Sequence, residues 1–179
     1  MDTTQRDGAD LFGTWTLLHQ AYLLTYKYLD QIVSRLGVSQ AQASVLLVLK
    51  GADEPLPLSR LARYLVQEAQ SVTSLVDRLE LRGFVKRVPD QRDRRVIHVE
   101  LTPEGHKMFD EIFPRALNGC GEVFTGLSAR ELKEFGQLCG KVRSRSADLM
   151  GMDRAPFEKA TETLRCAAKT YEEHAPVSS

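Results

Sequence analysis

Hydrophobic positions recur at helical spacing over most of this chain. Leu11, Trp15, Leu18, Tyr22, Leu29 and Val33 mark one stripe of a helix predicted over 10–36, and Leu17, Leu24, Tyr28 and Ile32 make a second face apolar. A helix apolar nearly all round is buried against more than one neighbour, and in so short a chain part of that burial is expected from a second subunit. Gly37 supplies a left-handed residue to close it. Ser39 with Gln42 forms a capping box, opening a compact second helix carried by Ala43, Leu46, Leu47 and Leu49 and ended by Gly51. Two prolines between Asp53 and Pro57 predict a turn. Leu58, Leu61, Ala62 and Leu65 then give a third helix.

The fourth helix, over 69–82, buries Val72, Leu75, Val76 and Leu79 and turns Gln70, Thr73, Ser74 and Asp77 outward, with Ser71 and Arg78 at the edges. Gly83 ends it. Alternation then predicts strands over 85–88 and 96–101, joined by the charged turn PDQRDRR. Thr102 caps a fifth helix with Pro103 in its first turn, running to about Phe124. Ser128 and Glu131 form a second capping box, opening a sixth helix to about Met150 with Leu132, Phe135, Leu138, Cys139 and Val142 as its stripe. A seventh, over 156–173, carries Phe157, Ala160, Leu164, Ala167 and Tyr171, so it is expected to pack on the first, fifth or sixth helix of its own subunit or of a partner. Residues 175–179 are expected to fray.

The stretch from Leu58 to Gly105 therefore reads helix, turn, helix, hairpin. A helix whose outward residues are short and hydrogen-bonding can approach base edges in a major groove, and an arginine-tipped hairpin beside it can reach the neighbouring minor groove. A solvated helix face and a solvated loop are the ordinary alternatives. The formal net charge is zero, which by itself argues against nucleic acid. The distribution does not: Arg82 to Arg95 holds six basic and two acidic residues, an excess of four within fourteen positions.

Composition narrows the remaining classes. Hydrophobic content of 42% and charged content of 27% are those of a globular chain rather than a disordered one. No apolar run approaches the roughly 20 residues that span a bilayer, and the polar N-terminus does not read as a signal peptide. Three widely spaced cysteines fit neither a disulfide framework nor a metal site, so a reducing cytoplasm is expected. The four histidines, His19, His98, His106 and His174, are scattered, and no catalytic constellation or glycine-rich phosphate loop is present. Neither enzyme, metal site nor cofactor is expected.

The hairpin and its flanks resemble a known family, the MarR-type winged-helix transcriptional regulators. Asp93, Arg95, Val99, Leu101, Thr102 and Gly105 fill every fixed place of the family's wing signature, D-x-R-x-x-x-V-x-L-T-x-x-G, and the block Ser71 to Arg87 resembles its recognition helix and first wing strand. The resemblance spans roughly residues 10 to 150. It implies a mainly α fold with a small β wing: an N-terminal dimerisation helix (1–37), a winged helix-turn-helix lobe (38–105), C-terminal dimerisation helices (106–150) and an extra C-terminal helix and tail (151–179). It further implies a homodimer on a palindromic operator in double-stranded DNA, most simply a repressor released by a signal. A winged-helix module that binds protein instead of DNA is the alternative. The chain departs from the family where Val66 and Glu68 stand in place of a frequent glycine and serine before the recognition helix.

Residue roles follow from the resemblance. Gln70, Ser71, Thr73 and Ser74 form the major-groove group, and Arg92 and Arg94 the wing-tip contacts. Asp93 and Arg95 brace the wing, while Asp77 pairs with a wing arginine such as Arg87. Trp15, His19, Tyr22 and Tyr26 either line a small-molecule effector pocket or, more ordinarily, pack the dimer core. Cys120 and Cys139 are candidates for oxidant sensing, although buried cysteines are commonly inert.

Overall fold

The computed structural model describes residues 8–52, 54–90 and 92–174; the tail expected to fray lies outside them. In chain order the elements are α1 (Gly8–Ser34), α2 (Gln40–Lys50), β1 (Leu56–Pro57), α3 (Leu58–Leu65), α4 (Ala69–Leu81), β2 (Val85–Pro89), β3 (Ile97–Leu101), α5 (Pro103–Phe124), α6 (Ala129–Leu149) and α7 (Ala155–His174). The architecture is mainly α with a small antiparallel wing.

The local signals act as expected. Ser39 Oγ accepts from the Gln42 amide, and the Gln42 side chain accepts from the Ser39 amide, so two orphan donors at the start of α2 are satisfied. Ser128 and Glu131 do the same for α6. Gly37 takes a φ of 76°, the left-handed conformation that lets the chain leave α1 sharply.

The turn expected between Asp53 and Pro57 contains a short strand. Leu56 pairs with Val99 and Pro57 with His98, giving a three-stranded sheet in the order β1-β3-β2. Proline is tolerated there because β1 is an edge strand. The β2–β3 hairpin runs from Val85 opposite Leu101 to Pro89 opposite Ile97.

The core sits where α2, α3, α4 and the wing meet α5. Leu46, Leu61, Val72, Val76, Leu79, Val99 and Ile112 are fully buried there. α1 leans on α5 through its C-terminal half only. Gly119 faces α1 closely: a Cβ there would begin 2.5 Å from Ile32 Cδ1 and 3.0 Å from Leu29 Cδ2, so those side-chain ends would have to turn aside. Tyr28 donates its phenolic proton to Glu122 across the same contact. The first two-thirds of α1 leaves Leu11, Phe12, Trp15, Leu17, Tyr22 and Leu24 exposed.

α7 packs on its own chain. Arg143 of α6 donates to the Phe157 carbonyl (3.2 Å) and to Thr161 Oγ1 (2.7 Å). Tyr171 meets Phe113 of α5 edge-on at 6.2 Å between ring centres. It also reaches beyond the helices where it was expected: Thr163 lies so near Gly51 that a Cβ there would stand 2.6 Å from its methyl. The tail helix thus touches the winged lobe itself.

Candidate nucleic-acid interface

α4 is anchored by one face and open on the other. Val72, Val76 and Leu79 are fully buried, whereas Gln70, Ser71, Thr73, Ser74 and Asp77 are exposed. Gln70 stands in the first turn, the end of a reading helix that meets bases. Thr73 Oγ1 donates to the Ala69 carbonyl at 2.8 Å and Ser74 Oγ to the Gln70 carbonyl at 3.2 Å. With their protons engaged in the helix, both hydroxyls face outward as acceptors, suited to amino groups on base edges.

The entry to α4 is locally strained. Val66 adopts φ 51° and ψ 46°, a left-handed conformation that a β-branched residue rarely takes, and Glu68 makes no side-chain cap bond. The turn keeps its shape without the residues that favour it, because the buried faces of α3 and α4 hold it from both sides.

Arg87 joins the wing to α4. Its guanidinium donates to Asp77 Oδ1 at 2.6 Å and to Glu80, and its amide donates to Glu80 Oε1 at 3.0 Å. Burial works against the Arg87 charge, but the two carboxylates outweigh it and raise its pKa. Asp77 is therefore held in an ion pair rather than left as a free negative charge on the outward face. The sequence reading missed Glu80, whose i+3 spacing from Asp77 was the available signal.

Two carboxylates fold the wing tip. Asp90 Oδ1 accepts from the amides of Arg92 (2.7 Å) and Asp93 (2.9 Å), and Asp93 Oδ1 accepts from that of Arg95 (3.0 Å). The amide bonds hold the Asp90 carboxyl below its ordinary pKa. Asp90 was also missed; an aspartate starting a charged turn is the signal for such a bond. Asp93 and Arg95 meet in the folded tip. The Arg95 side chain is 95% exposed, with Nε 3.9 Å from Asp93 Oδ1, so Asp93 holds the Arg95 amide and keeps a loose ion pair with an outward guanidinium. Arg92 and Arg94 are exposed beside it.

The rest of the signature ties the wing to the next helix. Val99 is fully buried beneath the sheet. Thr102 Oγ1 accepts from the Gly105 amide at 3.0 Å and donates to the Gly83 carbonyl at 2.6 Å. A Cβ on Gly105 would stand 1.9 Å from the Phe84 carbonyl oxygen, so only glycine lets α5 start this close to β2.

The MarR family model matches residues 36–96. The HTH-type transcriptional repressor MdtR of Bacillus subtilis (strain 168) is 36% identical over 106 residues, which cover 59% of this chain and 68% of that protein. The chain belongs to the MarR family. Two solved structures share its fold. A mutant MarR from E. coli complexed with operator DNA matches at a TM-score of 0.69 and 24% identity, covering 77% of this chain and 99% of that one. Bordetella bronchiseptica BpsR, whose DNA binding is regulated by 6-hydroxynicotinic acid, matches at 0.68 and 25% identity, covering 73% and 98%. This MarR-family chain is a DNA-binding transcriptional regulator and not an enzyme.

The other candidate residues lie away from the winged lobe. Trp15 stacks on His19 at 5.4 Å and Tyr22 tilts against Tyr26 at 5.8 Å, making an aromatic row along α1. Trp15 and Tyr22 are more than half exposed. Cys120 and Cys139 are both half-buried, and burial pushes the Cys120 thiol pKa up, which works against reactivity. Among the described residues no group of three or more His, Cys, Asp or Glu is placed to hold a metal ion, and no helix is long and apolar enough to cross a membrane.

Proposed function

We propose that this MarR-family regulator is a homodimeric repressor that grips a palindromic operator and is released by a small-molecule signal. One observation carries the DNA contact: Gln70, Ser71, Thr73 and Ser74 stand exposed on a helix whose other face is locked in the core, beside a wing tip where Arg92, Arg94 and Arg95 all reach solvent. On this reading the α4 group meets base edges in the major groove. Arg92 and Arg94 meet phosphates or the minor groove, and the exposed Arg95 joins them. Asp77 and Arg87 hold the reading helix and wing in fixed register. The operator DNA in the E. coli MarR structure supports operator DNA as the partner.

The homodimer reading rests on apolar surface. Leu11, Phe12, Leu17 and Leu24 on α1, with Leu132, Leu138 and Val142 on α6, remain exposed in one chain, more than a soluble monomer tolerates. Residues 1–37 and 106–150 are then the dimerisation helices, and 38–105 the lobe each subunit presents to DNA. Two-fold related reading helices enter successive major grooves, so half-sites should lie about 10 base pairs apart. The regulation of BpsR by 6-hydroxynicotinic acid supports a small-molecule signal.

A mobility shift on DNA flanking the chain's own gene, with salt varied, tests the proposal. A shift that weakens steeply with salt is expected, since each phosphate contact releases counterions. Absence of any shift at low salt would overturn it and favour the protein-binding alternative.

A further inference from the structure

α5 carries the chain out of the winged lobe, and it holds a proline midway. Before the proline the helix belongs to the lobe: Gly105 lies against Phe84, Lys50 stands over the Phe109 ring, and Ile112 is in the core. After it, Gly119 and Glu122 face α1. Pro114 has no N–H to give the Asp110 carbonyl, and its ring crowds that carbonyl, so α5 bends most easily at this turn.

Two helices cross the weak point. α1 keeps Val33 in the lobe core and Tyr28 on Glu122. α7 sets Thr163 against Gly51 on the lobe and Tyr171 against Phe113 beside the proline. Beyond the proline, Arg143 on α6 donates to the Phe157 carbonyl and to Thr161. Phe113 and Glu122 are nine positions apart, about two and a half turns of an ideal helix, so α7 and α1 grip α5 from opposite faces.

The lobe also makes room for α7. Gly51 has φ −81° and ψ −3°, a conformation open to any residue, so what glycine provides there is space. A Cβ would stand 2.6 Å from the Thr163 methyl and 3.2 Å from Thr163 Cβ, and the second atom is fixed to the α7 backbone. α7 lies beyond the stretch that resembles the MarR family, so this seat does not follow from that resemblance.

We propose that α7 is a splint across Pro114, and that Thr163 and Tyr171 are positioning residues for the reading helix. They hold the lobe at one angle to the far half of α5, and so fix the half-site spacing that a pair of lobes accepts. The splint acts within one chain; its consequence for spacing rests on the homodimer reading above.

Distances between nitroxide labels at Arg78→Cys on α4 and Asn118→Cys on α5 test the splint without DNA. The full chain carries Cys120→Ala, Cys139→Ala and Cys166→Ser, and is diluted into unlabelled chain so that only distances within one chain are read. One narrow distribution is expected. Tyr171→Ala with Arg143→Ala frees α7 and should broaden it, whereas Tyr171→Phe keeps the ring and should not. Pro114→Ala restores the helix hydrogen bond and should narrow the loosened chain again, a rescue that a merely stabilising tail helix would not show. An unbroadened distribution in the loosened chain, or one that Pro114→Ala leaves broad, would overturn the proposal. If the loosened chain does not fold, Tyr171→Ala alone is read in the same way. Mobility shifts of unlabelled chains on operator DNA with one base pair added between half-sites read the consequence. The unaltered chain should lose affinity, and the loosened chain about three- to tenfold less, the scale of a coupling between packed side chains. Equal losses would overturn the spacing role. No shift at any spacing would overturn the regulator reading, while the label distances still decide the splint.

Discussion

In the winged lobe, Leu46, Leu61, Val72, Val76, Leu79 and Val99 are fully buried, whereas α1 buries Val33 alone of its 27 residues and α6 buries only Ala147. Both regions carry strong apolar patterning. They differ in who supplies the opposing surface. α2, α3, α4 and the sheet face one another, so each stripe finds its complement within about 60 residues of chain. The stripes of α1 and α6 find little in their own subunit. A region that closes on itself can present a rigid surface to DNA; a region left open is, on the dimer reading proposed above, where a second subunit would associate.

The largest effects should separate these two regions. Leu46→Ala removes a fully buried side chain and should cost about 2–5 kcal/mol in urea unfolding. Leu24→Ser, at a position 72% exposed, should change the stability of the diluted single chain by under about 0.5 kcal/mol. Light scattering should nonetheless show the second variant shifted towards monomer. Equal losses of stability would break the contrast.

Within the lobe, helix and wing can be divided in turn. Gln70→Ala should relax preference at one base step per half-site, costing about 1–3 kcal/mol of discrimination in site selection. Arg94→Ala should weaken binding to all sequences and lower the salt slope by about one. If selected sites keep their sequence preference without Gln70, the assignment of α4 as the reading helix fails.

A smaller effect lies at the strained turn. Val66→Gly relieves a left-handed β-branched residue but loosens the unfolded chain, for a net gain of about 0.5–1 kcal/mol in chemical denaturation. A loss of stability would mean that the Val66 side chain contributes packing that its exposure does not suggest.

The smallest effect is at the wing tip. The folded Asp90 carboxyl titrates below its unfolded value. Its contribution to wing order is complete above the unfolded pKa of about 3.9 and is lost as pH falls through the lower folded value. The amide resonances of Arg92 and Asp93 should broaden in that acid range while those of Val72 and Val76 stay sharp. In Asp90→Asn the acid transition at the tip should vanish. Simultaneous broadening in the core would show that the wing does not titrate as a separate unit.

Local chemistry was legible from the chain. The capping boxes at Ser39 and Ser128, the Thr102 cap, the closing Gly37 and the two strands of the wing depend on neighbours a few residues away, so spacing alone determined them. So did the exposed face of α4, because helical period assigns Gln70 and Thr73 to the side opposite Val72 and Val76. The β1 strand was not legible, since its pairing partners Val99 and His98 lie more than 40 positions away and its prolines speak locally for a turn. The side-chain roles in the wing also needed three dimensions. The motif names Asp93 and Arg95 together, but only the folded hairpin sets the Asp93 carboxylate on the Arg95 amide and turns the guanidinium into solvent. The same holds for α7: its stripe required that it pack, but where it packs depended on Gly51 having no side chain and on Arg143 reaching Thr161. Periodicity and caps report what a segment does with its own backbone; which distant surfaces meet is decided by shape and by polar groups that must all be satisfied at once.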